Sequence, residues 1–169
     1  MSTVLAAPDC IKTRKAGVPV DRVIIHTAQG TLSGTVAWFQ KAGRSVPTAA
    51  HYVIGEDGKI VQMVPDDRKC LHAGSTIEPN WNDRSIGIEH AGFVDDGKPP
   101  SDAQLRASAK VTAIMCYKFG IPADRTHIIG HVEVPHRPTD AFHTDPGKEW
   151  PWDTYMALVH EEMAKLTAS

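Results

Sequence analysis

Apolar and polar positions change period along the chain, and each change marks an element. Residues 21–27, DRVIIHT, form a short β-branched run that predicts a strand. Val36 and Phe39 follow one helical turn apart in a segment ended by Gly43, which predicts a helix. Residues 51–55 and 59–64, HYVIG and KIVQMV, are joined by Glu56, Asp57 and Gly58 and read as a hairpin with a glycine-containing turn. In residues 85–91, SIGIEHA, the alternation places Ile86, Ile88 and His90 on one face and Ser85, Gly87 and Glu89 on the other. Glu89 is thereby directed away from the apolar face.

The best-marked helix starts at Ser101, which with Gln104 reads as a capping box. Leu105, Ala109, Thr112, Met115, Cys116 and Phe119 then line one side, and Gly120 and Pro122 stop it. A strand is predicted at 126–130, THIIG, followed by a loop carrying Pro135, Pro138, Pro146 and Pro151. A last helix begins near Trp152, with Met156, Val159, Met163 and Leu166 at helical spacing. The order of strand, helix, three strands, helix, strand and helix implies an α/β fold, a mixed central β-sheet flanked by helices. Polar residues at strand ends would gather along one edge or face of such a sheet. Residues 1–20 are expected to be an irregular arm wrapping a single domain of residues 21–169.

Composition narrows the role without defining it. A chain of 169 residues with 41% hydrophobic and 22% charged residues can bury a sizeable core and is not of a disordered kind. The formal net charge of -2 leaves no basic excess for phosphates, so nucleic acid is not an expected partner. No apolar run approaches the roughly 18 residues of a membrane span, and residues 1–7 do not read as a signal peptide. Cys10, Cys70 and Cys116 show no CxxC spacing and do not form a disulfide framework. The compositional oddity is nine histidines.

Several common signatures are missing: there is no GxSxG elbow, no glycine-rich phosphate loop and no GxGxxG. The run from His160 to Ala164 begins like HExxH but ends in alanine, so His160 reads as helix surface. His26 and His131 each close an apolar strand. Either alone is more often a hydrogen-bonding residue than a ligand. Together with a carboxylate they supply three ligands of the kind that hold a catalytic zinc with one open position. The carboxylate candidate is Asp145, whose direction Pro146 and Gly147 would hold, although a plain turn residue reads the same way.

The blocks IIHT at 24–27, AAHYVIGEDG at 49–58, LHAG at 71–74, NDRSIGIE at 82–89, IIGH at 128–131 and HTDPGKEWPW at 143–152 occur in one order. In that combination the chain resembles the zinc-dependent N-acetylmuramoyl-L-alanine amidases of type 2, which share a fold with amidase-type phage lysozymes and peptidoglycan recognition proteins. The resemblance implies that His26, His131 and Asp145 are ligands of one zinc ion and that Glu89 matches the family's catalytic glutamate. His143 stands where many relatives have lysine. His51 and His72 match positions lining the groove; His51 reads as a groove residue or a support behind the ligands, and His72 and Asn82 as contacts to substrate sugar or peptide or as residues that shape loops. Ala50 replaces a tyrosine frequent in phage members, so a mechanism using that tyrosine does not carry over.

The residue types suit the implied reaction, hydrolysis of the amide between N-acetylmuramic acid and L-alanine in peptidoglycan. Glu89 can take a proton from water and pass it to the leaving amine, and His143 can donate to a developing oxyanion. A non-catalytic peptidoglycan recognition module is the alternative, and retention of Asp145 argues against it. A cysteine peptidase through Cys70 is a second rival without a visible activating partner. His90, His127 and His136 read as structural, and the four tryptophans as core or groove wall. The implied protein is a monomer acting on the bacterial cell wall, as a phage lysin exported by other means or as a cytoplasmic or processed bacterial enzyme.

Overall fold

The computed structural model describes residues 1–93 and 97–168. Its strands are β1 (Ser2–Thr3), β2 (Lys12–Thr13), β3 (Arg22–Thr27), β4 (Tyr52–Ile54), β5 (Ile60–Gln62), β6 (Arg68–Lys69), β7 (Ser85–His90) and β8 (Ile128–Gly130). Three α-helices accompany them: α1 (Leu32–Gln40), α2 (Asp102–Phe119) and α3 (Trp152–Thr167). Six strands form a mixed sheet in the order β1-β5-β4-β7-β3-β8, in which only β4 and β5 pair antiparallel. This is the mixed, helix-flanked sheet that the alternating pattern implies.

The two faces of the sheet have different company. Val23, Ile25, Tyr52, Ile54, Ile86, Ile88 and Ile128 point to one side and are covered by α2 and α3 through Leu105, Met115, Tyr155 and Val159. Val53 and Val61 point to the other side and pack with Phe39 of α1 and with Ala6, Ala7 and Cys10. Ile24 and Ile129 share that second side with Ala73, Trp81 and Val134. Ser85, Gly87 and Glu89 alternate onto this second face too, so the polar side of β7 lies beneath loops and not beneath a long helix.

Several boundaries differ from the sequence expectation for identifiable reasons. The arm is not wholly irregular: β1 pairs parallel with β5 and β2 antiparallel with β6, which together tie residues 1–13 onto the domain. Those strands are two residues each, below what periodicity can show. The strand expected at 126–130 begins only at Ile128, because the Asp124 carboxylate accepts the backbone N–H groups of Thr126 and His127 at 2.9 and 3.0 Å and holds a turn there. Only half of the capping box forms. Ser101 Oγ accepts from the Gln104 amide at 3.1 Å, but the Gln104 side chain turns inward. Its Nε2 donates to the carbonyls of Ile54 and Ala91, at 2.9 and 2.7 Å, and so ties the ends of β4 and β7 to α2. Burial of those carbonyls is a stronger claim on an amide than an exposed helix start.

Beneath the sheet runs a polar chain. His90 Nδ1 donates to the carbonyl of His26 at 2.8 Å, and its Nε2 lies 2.7 Å from Ser108 Oγ. Tyr155 Oη is within 2.8 Å of Ser108 Oγ and 2.7 Å of Thr112 Oγ1. Both long helices are thereby linked through His90 to the backbone at the end of β3, the point where His26 emerges on the opposite face.

Candidate functional site

The parallel register of β3 and β7 sets His26 directly opposite Glu89, and β8 runs on the other side of β3 with Ile25 opposite Gly130. His131 follows β8 immediately. Three adjacent strand ends thus deliver His26, Glu89 and His131 to one place. Asp145 arrives from the proline-rich loop, where its carbonyl accepts the Val132 amide at 2.9 Å. That loop sits close over β8: a Cβ on Gly130 would lie 2.6 Å from Pro146 Cδ, so glycine is needed there.

His26 Nδ1, His131 Nδ1 and Asp145 Oδ2 form a triangle with edges of 3.1, 3.2 and 3.3 Å. Two ligands held about 2.0–2.1 Å from a tetrahedral zinc are about 3.3–3.4 Å apart, so the triangle has the size of one face of such a site. The donor chemistry also suits a cation. His131 Nε2 lies 3.1 Å from the Ala73 carbonyl, which only accepts, so the ring's proton is on Nε2 and Nδ1 offers its lone pair. Burial pushes His26 down to about 4, against the pull of Asp145, and keeps this imidazole neutral at pH 7. Burial pushes the Asp145 carboxyl up, but the neighbouring His131 and His26 rings outweigh it and hold the group well below the usual carboxylate range.

Glu89 and His143 line the same cleft, of about 450 Å³, with the triangle at its floor and Trp38 and Leu71 on its walls. Burial, followed by the negative charge of Asp145, pushes Glu89 up to about 8. Among the described residues no group hydrogen-bonds its carboxylate, which leaves it available to a water in the cleft. His143 stacks on His131 with ring centroids 3.7 Å apart and planes 19° apart. Burial, then the neighbouring His131, lowers its pKa and favours the neutral ring.

Of the three residues expected at the groove, only His51 is withdrawn from it. His51 is 0% exposed, with Nδ1 accepting the Gly87 amide at 3.0 Å and Nε2 donating to the Arg68 carbonyl at 3.0 Å, so it has no surface through which to bind a ligand. His72 is 9% exposed and has neighbours on both nitrogens: Nδ1 faces His26 Nε2 at 3.1 Å and Nε2 faces Ser85 Oγ at 3.2 Å. Asn82 Oδ1 accepts the amides of His72 and Ala73, each at 2.8 Å. His72 nonetheless lines the cleft, and His72 and Asn82 line an adjoining cavity of about 360 Å³.

His51, Cys70 and His72 also bring three possible metal donors within 4.8 Å of one another. They do not suit a cation. The His51 Nδ1 lone pair is taken by Gly87, the Arg14 guanidinium lies 3.0 Å from Nε2, and burial raises the Cys70 thiol far above its usual range. The same burial removes Cys70 as a nucleophile.

Two contributors were invisible to motif reading. Arg14 of the arm donates to the carbonyls of Asp66, Asn82, Asp83 and Ser85 and braces the loops behind the site. Nothing in its neighbourhood in sequence signals this. Gly87 had a signal: a glycine and a serine on the face of β7 opposite the isoleucines imply something large lying on that face. It is His72, whose Nδ1 would be 2.6 Å from a Cβ at position 87.

Comparison with known proteins identifies the family. Residues 16–148 match the family model described as N-acetylmuramoyl-L-alanine amidase, Amidase_2. Over 155 residues the chain is 33% identical to N-acetylmuramoyl-L-alanine amidase A of Achromobacter lyticus, covering 82% of each protein. It is 37% identical over 123 residues to 1,6-anhydro-N-acetylmuramyl-L-alanine amidase AmpD of Citrobacter freundii, covering 68% of this chain and 61% of that one. Among solved structures, an AmpD derivative superposes with a TM-score of 0.77 at 27% identity, covering 94% of this chain and 93% of that one. The Staphylococcus aureus hydrolase AmiA has the same fold, with a TM-score of 0.74 at 16% identity over 99% of this chain and 84% of that one.

Proposed function

The chain belongs to the N-acetylmuramoyl-L-alanine amidase family, and from that premise we propose that it cleaves the amide between N-acetylmuramic acid and L-alanine with one zinc ion held by His26, His131 and Asp145. The observation that carries this reading is the triangle of two imidazole nitrogens and a carboxylate oxygen, 3.1–3.3 Å on a side, beside an unpaired carboxylate in the same cleft. When bound, zinc supplies Lewis acidity, polarising the amide carbonyl and lowering the pKa of water toward about 7.

The remaining work falls to side chains. Glu89 takes the proton of the attacking water and delivers it to the departing nitrogen, the base and then the acid of one turnover. His143, neutral and stacked on His131, donates to the oxygen on which negative charge develops. His90 holds the His26 backbone from the opposite face of the sheet, so the ligand ring starts from a fixed point.

Relatives at 37% identity are named for the 1,6-anhydro sugar, which makes anhydro-muropeptides one substrate class to test. The endolysins of the same fold are less than 20% identical and support the shared architecture alone. Digestion of purified muropeptides followed by mass spectrometry tests the reaction: an intact stem peptide with a free L-alanine amine is expected, and release of any other fragment refutes it. A parallel comparison of anhydro-muropeptides with intact sacculi tests the substrate class. Asp145→Ala is expected to lose bound zinc and turnover together, and full zinc content in that variant would remove Asp145 from the ligand set.

A further inference from the structure

To hold a cation, both histidines of the triangle must present Nδ1 without a proton, yet an isolated neutral imidazole places its proton on either nitrogen. For His131 the Ala73 carbonyl decides the matter, as described above. For His26 the decision passes along a chain. Ser85 Oγ donates its one proton to the Trp81 carbonyl. With that proton committed, Ser85 Oγ can only accept from His72 Nε2, 3.2 Å away. His72 therefore carries its proton on Nε2 and offers the Nδ1 lone pair to His26 Nε2–H at 3.1 Å. That arrangement leaves His26 Nδ1 free to face His131 and Asp145.

Two consecutive residues thus face the two candidate ligands, His72 through its ring and Ala73 through its carbonyl. Their position is fixed from behind, since Asn82 Oδ1 accepts both of their amides at 2.8 Å. The His72 ring lies flat on β7 because Gly87 has no side chain to lift it. We infer that His72 and Ala73, pinned by Asn82, select the metal-binding tautomer of His26 and His131, which makes His72 a positioning residue. The inference rests on the reading of His26 and His131 as zinc ligands.

Zinc affinity, measured by chelator competition on the purified chain, provides the test. His72→Phe keeps a ring but removes the acceptor and is expected to bind zinc about 10- to 100-fold more weakly, the usual loss when a partner of a ligand histidine is removed. His72→Asn returns an acceptor near the position of Nδ1 and is expected to recover most of that loss. Zinc affinity in His72→Phe equal to that of the unaltered protein would overturn the inference. A measurement on the unaltered, zinc-loaded, 15N-labelled protein needs no variant to fold. His72 is expected to show a protonated Nε2 and an unprotonated Nδ1, with scalar coupling across the hydrogen bond to His26 Nε2. A proton found on His72 Nδ1 would likewise overturn the inference. His26→Ala separates this from the underlying reading: unchanged zinc binding there would refute His26 as a ligand, whatever His72 does.

Discussion

Glu89 sits where burial and the charge of Asp145 both oppose ionisation, which pushes its carboxyl up to about 8 before any cation is bound. A positive charge at the triangle acts in the opposite direction and draws the group down, so the zinc-loaded enzyme is expected to show an acid limb in kcat below pH 8. Glu89→Gln keeps the size but cannot take a proton. It is expected to retain zinc, lose about 10²-fold or more in kcat and lose the acid limb; a pH–rate profile matching the unaltered enzyme would remove Glu89 from proton transfer. His143 is tested apart from it. His143→Ala is expected to lower kcat by about 10²- to 10³-fold at unchanged zinc content, while His143→Lys, which restores a donor on a longer stem, keeps a measurable part. Equal turnover in His143→Ala and the unaltered protein would reduce the residue to loop packing against His131. His26, Glu89, His131, His143 and Asp145 all stood in recognisable blocks of sequence, but the blocks gave identities only: the 3.1 Å approach of His26 to His131 spans 105 positions of chain.

At the scale of elements, the polar face of β7 and the inward turn of Gln104 show how a strand end is held in place for chemistry. The alternation in SIGIEH was readable because burial on a sheet has a period of two, and it placed Glu89 correctly away from the isoleucines. What covers the other face was not readable, since the loop carrying His72 has no period. Gln104 looked like a capping residue because its amide neighbours Ser101 locally. The tertiary fold offered its side chain two buried carbonyls instead. Gln104→Leu removes both donors and is expected to cost about 1–3 kcal/mol in urea unfolding while leaving zinc stoichiometry intact. An unchanged unfolding midpoint would mean that the ends of β4 and β7 are held by backbone pairing alone.

For the whole molecule, buried neutral histidines couple stability to pH. Burial pushes His51 and His90 down to about 3 and His26 to about 4, whereas an exposed imidazole titrates near about 6.5. Between those values the unfolded chain binds protons that the folded chain refuses. These histidines therefore contribute stability to the zinc-free protein that is present above about pH 6.5 and is lost as pH falls toward 4, about 1.4 kcal/mol per pH unit for each proton, while Glu89, raised to about 8, offsets one of them. Urea unfolding at pH 7 and pH 5 checks this, and equal midpoints would contradict it. The sequence by itself determined the order of the main strands and helices, the apolar face of each, and the family blocks that carry His26, Glu89, His131, His143 and Asp145. Those are local properties, set by side-chain periodicity and turn chemistry. Only the tertiary structure decided that the arm forms β1 and β2, that Arg14 braces the loops, that Cys70 and His51 are sealed from solvent, and that Asn82 fixes the loop that sets His72 against His26. Each of those depends on contacts between segments distant in the chain, where register and burial, not local pattern, choose the partner of every donor and lone pair.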